Sequence, residues 1–125
     1  MEFNNDFEYD LKVGQLGEKH LSNILSNKRI EVKTDFQAIN TGNIFVEYES
    51  RNKKSGISTS KAEFYCFIIS NEQLILIETN LLKEKCRVYF GSKRDIKGGD
   101  SNSSKGILLP LKELLWIYQE KIKTE

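Results

Sequence analysis

The sequence predicts an α/β domain built on a central mixed sheet with flanking helices. Three observations predict it: a 3.6-residue apolar period early in the chain, two pairs of strand-like segments in the middle, and a second helical period at the end. With 125 residues, of which 38% are apolar, the chain can bury one ordinary core, so a single domain over residues 1–125 is expected.

The first helix is expected over residues 14–25, where Leu16, Leu21, Ile24 and Leu25 recur at helical spacing and Asp10 is available as an upstream cap. Gly17 falls within the apolar face and is expected to let the helix approach a sheet closely, while Glu18 sits on the flank of that face. Residues 29–38 alternate Ile30, Val32, Thr34 and Phe36 with Glu31, Lys33 and Asp35. Residues 43–51 alternate Ile44, Val46 and Tyr48 with Phe45, Glu47, Glu49 and Arg51. Between them stand Asn40, Thr41, Gly42 and Asn43, all turn formers, so the simplest pairing is a hairpin.

Residues 53–61 are polar and basic and read as a loop entering a short helical turn capped by Ser58 or Thr59. Residues 64–69 and 74–78 are rich in aromatic and branched side chains around Asn71 and Glu72, which predicts a second, more buried hairpin. Thr79 or Asn80 can cap a helix through Leu81, Leu82 and Cys86. Residues 91–106 read as a long loop, mobile or functional, because Gly98 to Ser104 lacks apolar anchors. Residues 107–109 fit a short strand. Pro110 then suits a helix start, and Leu111, Leu114, Leu115, Tyr118 and Ile122 give a closing amphipathic helix that carries Trp116 as a core or interface filler.

Nineteen basic against 18 acidic residues leave a formal charge of +1, so attraction to a polyanion has to come from local patches. Cys66, Cys86 and His20 lack zinc-site spacing, and the cysteines read as reduced apolar fillers. No leader and no apolar run of membrane length is seen, so a cytoplasmic location is expected.

A hairpin turning about Thr41 pairs Asp35 with Glu47 and Lys33 with Glu49, all on one face. Opposed residues carry Cβ atoms about 5 Å apart, so the carboxylates of Asp35 and Glu47 would converge on one hard cation such as magnesium. Glu49 could be a third ligand or an outer partner, and Lys33 could stabilise charge on a phosphate. The competing reading is an ordinary half-exposed hairpin, with Glu31 facing Arg51 and Lys33 facing Glu49 as ion pairs. Against it stands the like-charge contact of Asp35 with Glu47, which costs stability unless a cation lies between them.

A helix bearing Glu18, then Ile30-Glu31-Val32-Lys33-Thr34-Asp35, Thr41-Gly42-Asn43, Val46-Glu47-Tyr48-Glu49-Ser50, Ser55-Gly56-Ile57 and Lys61-Ala62 resembles the PD-(D/E)XK nuclease superfamily, in particular its small phage-type and Holliday-junction-resolvase-like members. The likeness spans residues 10–67. It implies a restriction-endonuclease-like core and magnesium- or manganese-dependent hydrolysis of phosphodiester bonds in DNA, with Asp35, Glu47 and Glu18 as metal ligands. Glu49 stands where familiar members have lysine, so Lys33 or Lys61 would take the lysine's role. An alternative alignment takes Glu31-Val32-Lys33 as the Glu-x-Lys motif, but then no upstream strand aspartate is suitably placed. An inactive nucleic-acid-binding descendant and a small protein-interaction or inhibitor domain are the alternatives. Arg51, Lys53, Lys54 and Ser55 are the expected phosphate contacts, and Lys93, Arg94 and Lys97 a second grip or a plain connection. A homodimer would be an economical way to engage two strands.

Overall fold

A computed structural model describes residues 3–115, with side chains from Phe7 onward. Of the expected closing helix, Pro110 ends a strand rather than starting a helix and Leu111–Leu115 form a 3₁₀ turn, while the part from Trp116 on, with Tyr118 and Ile122, lies outside the described residues. Helix α1 (Phe3–Asn27) leads into strand β1 (Ile30–Thr34), a short helix α2 (Ala38–Thr41) and strand β2 (Asn43–Ser50). Then follow β3 (Lys53–Lys54), a 3₁₀ turn (Gly56–Ser58), β4 (Phe64–Ser70), β5 (Gln73–Glu78) and α3 (Thr79–Arg87). The chain continues through β6 (Asp95–Gly98), a 3₁₀ turn (Asp100–Asn102), β7 (Ser104–Pro110) and a 3₁₀ turn (Leu111–Leu115).

The α/β character is as expected, but two sheets take the place of one central sheet. One is three-stranded in the order β1-β4-β5 and mixed; the other is four-stranded in the order β3-β2-β7-β6 and antiparallel throughout. The expected hairpin of β1 with β2 does not form. Residues 37–42 are not a tight turn: α2 coils there, and Gly42, at φ 74°, closes it by donating its N–H to Ala38 O. This excursion carries the chain from one sheet to the other, so β1 pairs parallel with β4, and β2 pairs with β7.

The second hairpin forms as expected, with Phe67 opposite Ile75 and Tyr65 opposite Ile77. Its inner face meets that of the other sheet. Tyr65, Phe67, Ile69 and Ile77 share one core with Ile44, Val46, Ile107 and Leu109, closed by Leu82 and Cys86 of α3 and by Leu114. Cys66 and Cys86 are both buried free thiols, and burial raises both, the Cys86 thiol to about 12. Helix α3 also buries Lys85.

Several elements are rearranged. Helix α1 begins well before Asp10, which therefore lies inside it rather than capping it. The apolar face of α1 is mostly uncovered: Leu16, Leu21 and Leu25 are exposed, and Ile24 is buried. A side chain at Gly17 would meet nothing within 4 Å among the described residues, and neither described sheet approaches there. Much of the expected loop over residues 91–106 is instead the hairpin of β6 and β7, paired Asp95 to Ile107 and Lys97 to Lys105. Residues 53–54, expected to be loop, pair with β2 through a turn in which Arg51 and Asn52 take φ of 51° and 64°. Two successive left-handed residues match the twist of a tight hairpin. No helix among the described residues is long and apolar enough to cross a membrane.

Candidate active site

The two sheets set the positions of the expected site residues. Glu47 lies in the middle of β2, opposite Gly106, on the face away from Val46 and its core-facing partner Ile107. Its side chain is half-buried, and the Ser55 hydroxyl donates to Glu47 Oε2 at 2.9 Å. The intervening β2–β3 turn folds Ser55 back beside Glu47, where the Ser55 N–H also donates to Tyr48 O at 3.1 Å. Gly56 takes φ 53° and lies against the Glu47 backbone so closely that a β-carbon would overlap the Glu47 carbonyl and stand 3.1 Å from Glu47 Cβ. Only glycine meets both demands without strain.

Asp35 follows the end of β1. Its N–H donates to Ile68 O at 2.9 Å, extending the parallel pairing, and its carboxylate accepts the Gln37 N–H at 3.0 Å. The side chain thus folds onto its own backbone and shapes the entry to α2. Lys33 is exposed in β1 opposite Phe67, not opposite Glu49. In this register Glu31 and Lys33 lie on the side of the sheet that carries Tyr65 and Phe67, while Val32 faces outward and is exposed. The expected in-and-out sense of β1 is therefore reversed, because its partner is β4 and not β2.

Glu18 lies on the exposed length of α1, in a shallow depression formed wholly by residues of that helix, Lys19 and Ser22 among them. Among the described residues no group of three or more His, Cys, Asp or Glu side chains comes together to hold a metal ion. The three-carboxylate set of Glu18, Asp35 and Glu47 is therefore not assembled. Asp35 and Glu47 supply the right donors for a hard cation, which often takes one or two protein carboxylates and fills its shell with water and phosphate oxygens. Their spacing is governed by two sheets rather than by a hairpin register.

Glu49 takes a different partner from the expected one. A bulge at Tyr48 shifts the register, so that Glu49 stands opposite Lys105 on one side and Lys54 on the other. Lys105 Nζ lies 3.5 Å from Glu49 Oε2. Because Lys105 also pairs with Lys97, one row across the sheet reads Lys54, Glu49, Lys105, Lys97, three cations about one carboxylate. Sequence reasoning missed Lys105, whose only signal was its place beside the apolar run at residues 107–109. Arg51, Lys53 and Lys54 are exposed at the β2–β3 end of the same sheet, with the Arg51 N–H donating to Ser103 O at 2.9 Å, and Lys61 is exposed ahead of β4. Arg51 does not face Glu31.

On the core-facing side of β2, Tyr48 donates its hydroxyl proton to Asp95 Oδ1 at 2.7 Å. Desolvation first, and then this hydrogen bond to a carboxylate, raises the phenol to about 12. Comparison with protein-family models, with curated proteins and with solved structures returned no match.

Proposed function

We propose that this protein is a metal-dependent nuclease that hydrolyses phosphodiester bonds in DNA, with a restriction-endonuclease-like arrangement about β2. The observation that carries the proposal is Glu47: a half-buried carboxylate in mid-strand, gripped by Ser55 and fitted by Gly56. The residues that hold it, Ser55 and Gly56, belong to the same ordered set of motifs as Glu47 itself. A strand that serves only as scaffold has no need to restrain an acid on its outer face.

Glu47 and Asp35 are the side chains that would hold magnesium or manganese. Such an ion, when bound, supplies Lewis-acid activation of water and of the phosphate. The chain's own part is electrostatic: Arg51 and Lys53, exposed at the β2–β3 end of the sheet, would position the phosphate backbone without reading its sequence. Incubation with plasmid, single-stranded and four-way-junction DNA, in magnesium, manganese or chelator, tests the proposal. Metal-dependent products that vanish with chelator and with Glu47→Gln are expected; DNA bound but uncut in both metals overturns the nuclease reading.

One observation favours a second reading, a nucleic-acid-binding module without turnover. Glu49, at the position of the familiar lysine, is held by Lys105, and the surrounding row is net positive without a metal. This reading expects binding that weakens steeply with salt and ignores chelator.

A further inference from the structure

A second concave surface lies on the side of β2 opposite Glu47, between the inner face of its sheet and α3. It is a cleft of about 330 Å³, within the size range of small-molecule sites. Its floor is apolar, formed by Val46, Ile57, Ile107 and Cys86. Lys54, Lys83 and Arg87 line it together with Ser58, Tyr48 and Phe90, and among the described residues no carboxylate does. Among the described residues Lys83 and Arg87 are paired with no carboxylate, and Lys54 stands opposite Glu49, whose ion pair is with Lys105.

The aromatic pair gives the cleft its second property. The Tyr48 and Phe90 rings lie 5.4 Å apart between centroids, inclined at 57°. Asp95 takes the Tyr48 hydroxyl, which fixes that ring. Phe90 is 65% exposed, an uncovered ring at the edge of a basic recess. Three cations fit an anion of more than one charge, and a free aromatic edge over an apolar floor fits a flat, mostly apolar group attached to it.

We propose that this cleft binds a nucleoside phosphate, the phosphate held by Lys54, Lys83 and Arg87 and the base set against Phe90 and Tyr48. Such a unit comes either as a free nucleotide or as one residue of a single strand. The proposal uses none of Glu47, Asp35 or Ser55, and so stands apart from the nuclease reading.

The test is calorimetric titration of the full chain with adenosine monophosphate, adenosine, inorganic phosphate and a short single-stranded DNA, alongside amide chemical-shift mapping. Shifts at Lys54, Ser58, Lys83, Arg87 and Phe90 are expected. Lys83→Gln with Arg87→Gln should weaken phosphate-bearing ligands by about tenfold or more. Phe90→Ala should weaken the nucleotide by about tenfold and leave inorganic phosphate unchanged. Thermal melts of these surface variants establish that they are folded. Response to the mononucleotide alone identifies a free nucleotide, and response to the oligonucleotide alone a strand; either supports the site. Adenosine binding as tightly as its monophosphate, shifts that map elsewhere, unchanged affinity in folded variants, or no response to any ligand overturns it. Loss of cleavage in Glu47→Gln with nucleotide binding intact would separate the two proposals.

Discussion

Asp35 and Glu47 are both half-buried acids on or beside strands, yet the fold treats them differently. Asp35 accepts a hydrogen bond from an N–H two residues on, a contact that any short segment could make alone. Glu47 accepts one from Ser55, eight residues on, and does so only because a left-handed turn returns the chain along β2. The first is a local device for starting α2, and the second is a side chain held by tertiary structure. Holding an acid in one orientation costs conformational freedom, and this expense has been met at Glu47.

The largest effect that would sharpen the contrast is expected from Gly56→Ala. The new β-carbon would overlap the Glu47 carbonyl, and the residue would sit at φ 53°. Strain and overlap together should cost about 2–5 kcal/mol, read as a lower midpoint in chemical denaturation. A midpoint within error of the parent would show that the turn does not press on β2.

Next comes the direct contest between the two acids. Glu47→Gln keeps an acceptor for Ser55 and removes the charge, so stability should hold while metal-dependent cleavage falls by about a hundredfold or more. Asp35→Asn likewise preserves the local turn. An equal loss of cleavage in both variants would join the acids in one site; a loss in Glu47→Gln alone would leave Asp35 a purely structural residue.

Ser55→Ala should have a smaller effect. Losing one hydrogen bond to a half-buried carboxylate should cost about 1 kcal/mol and lower cleavage by about tenfold through a less fixed Glu47. Unchanged kinetics would mean that the grip of Ser55 has no part in the chemistry.

The smallest effect concerns alkaline pH. The Tyr48 phenol is raised from 10.0 to about 12, so its contribution to stability is fully present below pH 10 and is lost as pH rises toward 12. Tyr48→Phe should flatten that part of the stability profile, measured by denaturation between pH 9 and 12. The Cys86 thiol, raised to about 12, adds a decline of the same sign, so some slope should persist in the variant.

The sequence was most informative where local physics decides. The helical period of α1 reflects a real helix, and the aromatic run at residues 64–69 forms a buried hairpin because its side chains need cover on both faces. The basic character of Lys53 and Lys54 was legible too. The pairing of β1 was not, since alternation specifies that a strand has two faces and leaves open which strand lies beside it. Residues 37–42 satisfy a tight turn and a short capped helix about equally well, and only burial of Ala38 in the common core selects the helix. That Lys97 stands in a strand beside Lys105 was hidden for a related reason: a strand with one half-buried apolar residue, Ile96, carries almost no periodic signal.

By itself, the sequence determined the longer elements, the apolar residues available for a core and the acids and lysines available for chemistry, because these depend on side chains within a few residues of one another; the short α2, β3 and β6 were left to tertiary structure. Tertiary structure alone decided that Asp35 and Glu47 belong to different sheets, that Glu49 meets Lys105, and that Lys54, Lys83 and Arg87 share a cleft with Phe90. The physical reason is that β1 is placed by parallel pairing along the edge of β4, whose open side it covers. No pattern within β1 records the surface that β4 needs covered.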